Sequence, residues 1–175
     1  PILRKQANAF LAAPHILGER FHYFDTGIKR LIIELELDGV IIFLVHLSLK
    51  YRHRQFQLRH LYELISRARK PVILAGDFNT FWGENEMFLF MKAAGLRSAN
   101  VAGLPSFPSK TPRLELDFIL YGAGIEITSF DVPNVQHSFQ VRITDRLHCV
   151  HDRQPAVQAF GVPAQAGGGF STIAI

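Results

Sequence analysis

The chain has 175 residues, 48% of them hydrophobic, which is enough for one domain with a buried core. Charged residues make up 19%, which excludes a disordered polyelectrolyte, and the single cysteine, Cys149, excludes an internal disulfide framework or a multi-cysteine zinc site. A formal charge of +4 favours a phosphate-bearing partner only weakly.

Phe21 to Thr26 carries alternating aromatic residues and stops at Gly27. Leu31 to Leu37 alternates apolar and acidic residues, the period of a half-buried strand. Asp38-Gly39 follows, and an Asp-Gly pair between two strand patterns is a hairpin signal. Val40 to Val45 is apolar at every position, so this strand is expected to be central and covered on both faces. Such runs are strand-length and far too short for a transmembrane segment. No signal peptide is visible, which leaves a cytoplasmic location as the default expectation.

From Arg54 to Arg69, residues Gln55, Leu58, Leu61, Tyr62 and Ile65 recur at helical spacing, and Lys70-Pro71 ends that pattern. Val72 to Ala75 reads as a second buried strand, closing at Gly76-Asp77-Phe78-Asn79-Thr80. Glu84 to Ala94 reads as a short helix with Met87, Phe88, Phe90 and Met91 inward and Gly95 as its stop. Pro105 to Pro112 is a loop; Leu114 to Tyr121 and Ile125 to Val132 read as strands on either side of Gly122-Ala-Gly124. The order of elements predicts an α/β (α+β) sandwich of sheet and helices. After Gln136 the apolar periodicity fades, so residues 1–160 are expected to form one domain and 161–175 a disordered tail.

Chemistry-bearing side chains fall at the ends of apolar strands: His46, Asp77 with Asn79, and Asp117. In α/β sheets, ligands bind beyond strand ends, where loops bring side chains from several strands together. On an extended backbone Asp77 and Asn79 point to one side while Phe78 turns into the core. Asp77 then suits a base or metal ligand, and Asn79 a donor to a phosphoryl oxygen. Asp117 in an apolar strand requires a partner: a histidine, a metal or an arginine. Plain structural readings stand beside these. Asp77 and Asn79 form turns at many strand ends, and a strand-end histidine is commonly a hydrogen-bonded structural residue. Arg52, His53, Arg54, Arg59 and His60 read as a solvated helix face, with a phosphate-backbone groove as the competing reading for the arginines and His53.

Taken in order, Val45-His46-Leu47, Arg54 with Gln55-Phe-Gln-Leu58, Pro71-Val-Ile-Leu-Ala-Gly-Asp-Phe-Asn79, Pro105-Ser-Phe-Pro108 and Leu116-Asp-Phe-Ile-Leu120 resemble the endonuclease/exonuclease/phosphatase superfamily, the pancreatic-deoxyribonuclease-like metal-dependent phosphoesterases. Gly27-Ile-Lys-Arg30 is similar to the stretch before the hairpin, and the resemblance runs from about residue 20 to residue 136. It implies a two-sheet sandwich flanked by helices, incomplete at the N-terminus, with one magnesium or manganese site. The implied reaction is phosphodiester hydrolysis by an in-line water. Asp77 would orient or deprotonate that water, and Asn79 and His46 would donate to the developing charge. Asp117 would orient the family's C-terminal histidine.

Two departures from the pattern bear on activity. The family's glutamate metal ligand has no counterpart before Gly27; Glu19 lies in a loop-like Gly-Glu-Arg context. The closing Ser-Asp-His-x-Pro has two remnants, Thr144-Asp145-Arg146 and His151-Asp152-Arg153-Gln154-Pro155, with arginine in place of histidine. Arginine cannot serve as a base. Suitable codons for Val141 to Arg146, read one frame over, spell Ser-Asp-His-Arg-Pro, so a frame change from about His137 stands beside ordinary divergence as an explanation. The expected metal ligands are Asp77 and Asp145. The substrate would be a nucleic acid or a phospholipid head group, and the alternative is a non-catalytic phosphate- or partner-binding module. Missing N-terminal strands would leave a sheet edge open to self-association.

Overall fold

The computed structural model describes residues 16–28, 31–81, 84–108, 110–131, 140–144 and 170–174. In chain order the elements are β1 (Gly18–Tyr23), β2 (Leu31–Glu36), β3 (Ile41–His46), α1 (Tyr51–Ser66), β4 (Val72–Asp77), α2 (Glu84–Ala94), β5 (Arg97–Ser98), β6 (Asp117–Tyr121), β7 (Ile127–Asp131), β8 (Gln140–Thr144) and β9 (Phe170–Ala174). Six strands form one mixed sheet in the order β1-β2-β3-β4-β6-β5, and β7-β8-β9 form a second sheet.

The hairpin expected at Asp38-Gly39 joins β2 to β3, closed by Leu37 N–H donating to the Val40 carbonyl at 2.9 Å. β3 then pairs parallel with β4. A parallel pair needs a crossover, and α1 supplies it. The apolar run of β3 is central as expected. Ile41, Phe43 and Val45 join Leu58, Leu61 and Ile65 of α1 and Met87 and Phe90 of α2 in one core. Ile42 joins Ile33, Leu35, Ile73 and Ile119 in a second core, against which Ile127 and Phe130 of β7 pack.

Helix α1 ends at Ser66, and its last turn tightens through Arg67 N–H to the Leu64 carbonyl at 3.2 Å and Ala68 N–H to Ile65 at 3.0 Å. Pro71 does not merely stop the helix, because its carbonyl accepts from Ile41 N–H at 2.9 Å and starts the β3–β4 ladder. Helix α2 stops at Gly95, whose φ of 65° lets Leu96 N–H reach back to the Met91 carbonyl at 2.9 Å.

Several expectations need correction. Phe88 is 58% exposed, while Met87 and Phe90 are buried in the core and Met91 packs against it half-buried, so the other three expected residues of α2 do face inward. Tyr62 of α1 is also exposed, since the buried stripe runs through Arg54, Leu58, Leu61 and Ile65. Glu19 is on strand β1 and pairs with Leu35, so it is not in a loop. Phe170–Ala174, inside the expected tail, pairs in register with Gln140–Thr144; β-branched Thr172 and Ile173 suit a strand. No helix among the described residues is long and apolar enough to cross a membrane.

Candidate active site

Strand register brings three of the four chemistry-bearing residues side by side. His46 is the last residue of β3 and pairs with Asp77, the last of β4. On the opposite flank Asp77 pairs with Asp117, the first residue of β6. Imidazole and two carboxylates therefore stand on neighbouring strands at one end of the sheet. His46 Nε2 lies 3.0 Å from Asp77 Oδ2, and both side chains are about one-third exposed.

Asn79 completes the turn in a way that alternation along a strand does not anticipate. Its φ is 53°, so the backbone leaves the extended region. Asn79 N–H donates to Asp77 Oδ1 at 2.9 Å, and the Asn79 amide donates from Nδ2 to the Leu47 carbonyl at 2.9 Å. Leu47 N–H in turn donates to the Asp77 carbonyl at 2.8 Å. The segments following β3 and β4 are thus tied to each other through Asn79, which is itself buried. Phe78 turns into the core as expected, its ring edge-on to Phe118 with centroids 5.4 Å apart.

Among the described residues the partner of Asp117 is Ser106 and no arginine. Ser106 Oγ accepts from Leu116 N–H at 3.0 Å and Asp117 N–H at 3.2 Å, and its hydroxyl donates to the Asp117 carboxyl. Burial pushes the Asp117 carboxyl up to about 6; the Ser106 hydroxyl opposes the rise and the neighbouring Asp77 charge adds to it. The ordinary value is 3.8, so folding takes up a proton between these limits, and stability falls as pH rises through that window. Asp117→Asn, which stays neutral, is expected to gain on the order of 2 kcal/mol above pH 7 and little near pH 4. Urea unfolding in EDTA at both pH values measures this; equal midpoints for variant and parent above pH 7 would refute it.

Behind these residues lies a buried polar scaffold. Arg54 is fully buried, which overturns its reading as part of a solvated face or phosphate groove. It grips Glu86 of α2 with two bonds, Nε to Oε1 and Nη2 to Oε2, both 2.9 Å. Its Nη1 donates to the carbonyls of Ser48 and Leu49 at 3.0 Å. Gln57 accepts from Ser48 N–H at 2.8 Å and donates to the Thr26 carbonyl at 3.0 Å. The segment just after His46 is held from both sides. Arg52 and Arg59 are exposed, as expected.

Ser106, Gln57 and Glu86 had no assigned role in the sequence reading. A signal existed for one neighbour: Arg54 sits on the Leu58-Leu61-Ile65 stripe, where a cation must find a partner. Ser106 lay in a segment whose resemblance was noted without a task for the hydroxyl. Asp145 lies outside the described residues.

Among the described residues no three His, Cys, Asp or Glu side chains converge as a metal cluster. The described oxygen donors are Asp77 and Asp117, whose mutual repulsion a cation would relieve. A magnesium ion, which keeps several waters and takes one or two protein carboxylates, fits such a sparse set.

The profile of the "Endonuclease/Exonuclease/phosphatase family" matches residues 9–145. No curated protein matches the chain. Among solved structures, an endonuclease/exonuclease/phosphatase family protein from Bacteroides thetaiotaomicron superposes with a TM-score of 0.58 at 14% identity, over 72% of this chain and 56% of that one. A mannosyl-6-phosphatase from the same organism gives 0.56 at 14% identity, covering 72% of this chain and 58% of the other. A 3′ phosphatase from Neisseria, bound to a product DNA hairpin, gives 0.54 at 13% identity, with 69% and 64% covered. In each pair the match takes in less than two thirds of the neighbour. These likenesses establish the shared fold. With the profile spanning most of the sequence and the strand-end residues assembled at one edge, the chain belongs to the endonuclease/exonuclease/phosphatase family.

Proposed function

We propose that this chain carries part of the active site of a metal-dependent phosphoester hydrolase. The observation behind the reading is the register that sets Asp77 between His46 and Asp117 at one sheet end. Asp77 is the residue best placed to orient or deprotonate a water, because its carboxylate is partly exposed and held by Asn79 N–H and His46. His46 faces the same opening and would donate to the charge that develops on the phosphoryl oxygens. Asn79 has one amide hydrogen committed to Leu47, so its main task is to hold the turn, with its second N–H as the donor toward substrate. Asp117, kept by Ser106, would orient a histidine supplied from elsewhere in the family fold. When bound, a magnesium or manganese ion neutralises the phosphate and lowers the pKa of a coordinated water. Asp77 would hold it together with Asp145.

The test is magnesium-dependent hydrolysis of bis(p-nitrophenyl) phosphate. Asp77→Asn is expected to reduce kcat/KM by a factor of about 100 to 1,000, with no loss of unfolding midpoint beyond a small shift. Equal rates for the two proteins would remove the hydrolase reading. A non-catalytic phosphate- or partner-binding module is the second reading. It is favoured by the internal satisfaction of both Asp77 oxygens and by arginine at both remnants of the closing motif.

A further inference from the structure

The two edges of the larger sheet are guarded very differently. β5, at one edge, is two residues long, and the Arg97 guanidinium lies over the Tyr121 ring at 4.9 Å. A strand so short and so charged is blunted against pairing with another chain. β1, at the other edge, runs for six residues in unbroken register with β2, from Gly18 opposite Glu36 to Tyr23 opposite Leu31. It contains no proline and no lysine. Among the described residues no strand pairs with its outer side.

The side chains of β1 leave that edge open. Arg20 and His22 share the face of Ile32 and α1, and both are drawn back over β2. Arg20 bonds Glu34 Oε1 and, at 3.0 Å, Glu36 Oε2, while His22 Nε2 lies 2.5 Å from Glu34 Oε2. The charges that would repel an incoming strand are thus answered within the chain. On the opposite face Phe21 and Tyr23, beside Ile33 and Leu31, are 49% and 64% exposed, and Leu17 just before the strand is exposed as well. An unpaired backbone and a row of exposed apolar side chains therefore share one edge.

A second copy of β1 fits this edge, and symmetry limits how. Antiparallel pairing about a two-fold axis normal to the sheet sets each residue opposite one that points to the same face. An axis at Glu19, Arg20 or His22 would set an ionisable group against its own copy, an unfavourable cross-strand pair. An axis at Gly18 or Tyr23 would leave most of β1 with no strand opposite it. At Phe21 the two aromatic rings meet, Glu19 faces Tyr23 of the second copy, and Arg20 faces its His22. We infer that the chain forms a symmetric homodimer in which β1 adds to β1 of a second copy, antiparallel and centred on Phe21. Backbone bonds between the strands hold the pair, and the doubled row of Leu17, Phe21 and Tyr23 supplies apolar contact across it. β3, which carries His46, lies two strands in from this edge, so pairing leaves both sites open, whatever they hydrolyse.

The experiment is light scattering behind size-exclusion chromatography on the full chain, across a dilution series. The parent is expected to give the mass of two chains at high concentration and of one on dilution. Phe21→Lys, which sets two ammonium groups together at the axis, should weaken the dimer at least about tenfold. Phe88→Lys, at an equally exposed ring on α2, should leave it unchanged. Cross-linking reads the register without relying on that charge. In a Cys149→Ser background, Phe21→Cys should oxidise to a covalent dimer, because the two positions face each other within disulfide reach. Glu19→Cys should not, since its two copies stand four residues apart, about 14 Å along the strand. The inference is overturned if the parent has the mass of one chain at every concentration, the result expected if another part of the chain covers β1. It is equally overturned if Phe88→Lys disrupts the dimer as much as Phe21→Lys, or if Glu19→Cys cross-links as readily as Phe21→Cys. Asp77→Asn should dimerise like the parent, so that pairing and hydrolysis are read separately and either can fail alone.

Discussion

Gly76→Ala is expected to abolish the native fold, or to leave a protein destabilised by at least about 4 kcal/mol, the range reserved for backbone conflicts that cannot relax. Gly76 lies in β4 with φ of 144°, opposite Val45 of β3. A methyl group there would sit 1.9 Å from the Val45 carbonyl oxygen and 2.9 Å from its carbon, both backbone atoms. β3 cannot move away, because β2 holds its other edge and cores cover its two faces. Moving β4 instead would break its pairing with β6 and carry Asp77 away from His46 and Asp117. Gly95→Ala is the comparison. Gly95 also has positive φ, 65°, yet a methyl group there meets nothing within 4 Å. It should cost only about 1–2 kcal/mol for the left-handed backbone. Thermal unfolding of the two variants measures the difference, since each kcal/mol moves the midpoint of a chain this size by about 2–4 °C. Similar midpoints would show that β4 has a freedom the geometry denies.

Replacing Arg54 by leucine is expected to cost about 3–5 kcal/mol, the usual result of stranding one half of a buried ion pair. Among the described residues, Glu86 would be left buried with only Gln55 Nε2, at 2.7 Å, to answer its charge. The carbonyls of Ser48 and Leu49 would lose their donor at the same time. Adding Glu86→Leu should restore most of that loss, because an apolar pair carries no desolvation penalty. The remainder measures the two orphaned carbonyls. Urea midpoints for both singles and the double complete the cycle. A single variant within about 1 kcal/mol of the parent would mean that Arg54 finds water in solution and is not a structural anchor. Because Ser48 and Leu49 lie two and three residues after His46, and both variants leave their carbonyls without the Arg54 donor, the single and the double variant should each loosen the histidine and lower any hydrolysis.

Much of the architecture was readable along the chain because its signals are local. The Asp38-Gly39 hairpin, the doubly apolar β3, the Gly95 stop and the breaker at Pro71 depend on turn chemistry, burial pattern and proline sterics, all encoded within a few residues. Where the reading failed, the deciding neighbour was distant in sequence. Arg54 resembled the exposed Arg52 and Arg59 as text; only Glu86, on another helix, and two carbonyls make it a core residue. Phe88 looked equivalent to Phe90, yet the phase of α2 against the sheet buries one ring and exposes the other. The tail expected beyond residue 160 contains β9, since five short residues acquire strand character only by pairing with β8.

The candidate site divides in the same way. The residue types at strand ends, His46, Asp77, Asn79 and Asp117, follow from the sequence alone, because a polar group closing an apolar run is visible in one dimension. Their convergence was a matter of register. Parallel pairing sets His46 against Asp77, antiparallel pairing sets Asp117 on the other flank, and hydrogen-bonded ladders between segments tens of residues apart have no local code. Tertiary structure also determined that Asn79 ties two loops and that Ser106 holds Asp117. Each follows from long-range contacts whose energy depends on where the backbone already is.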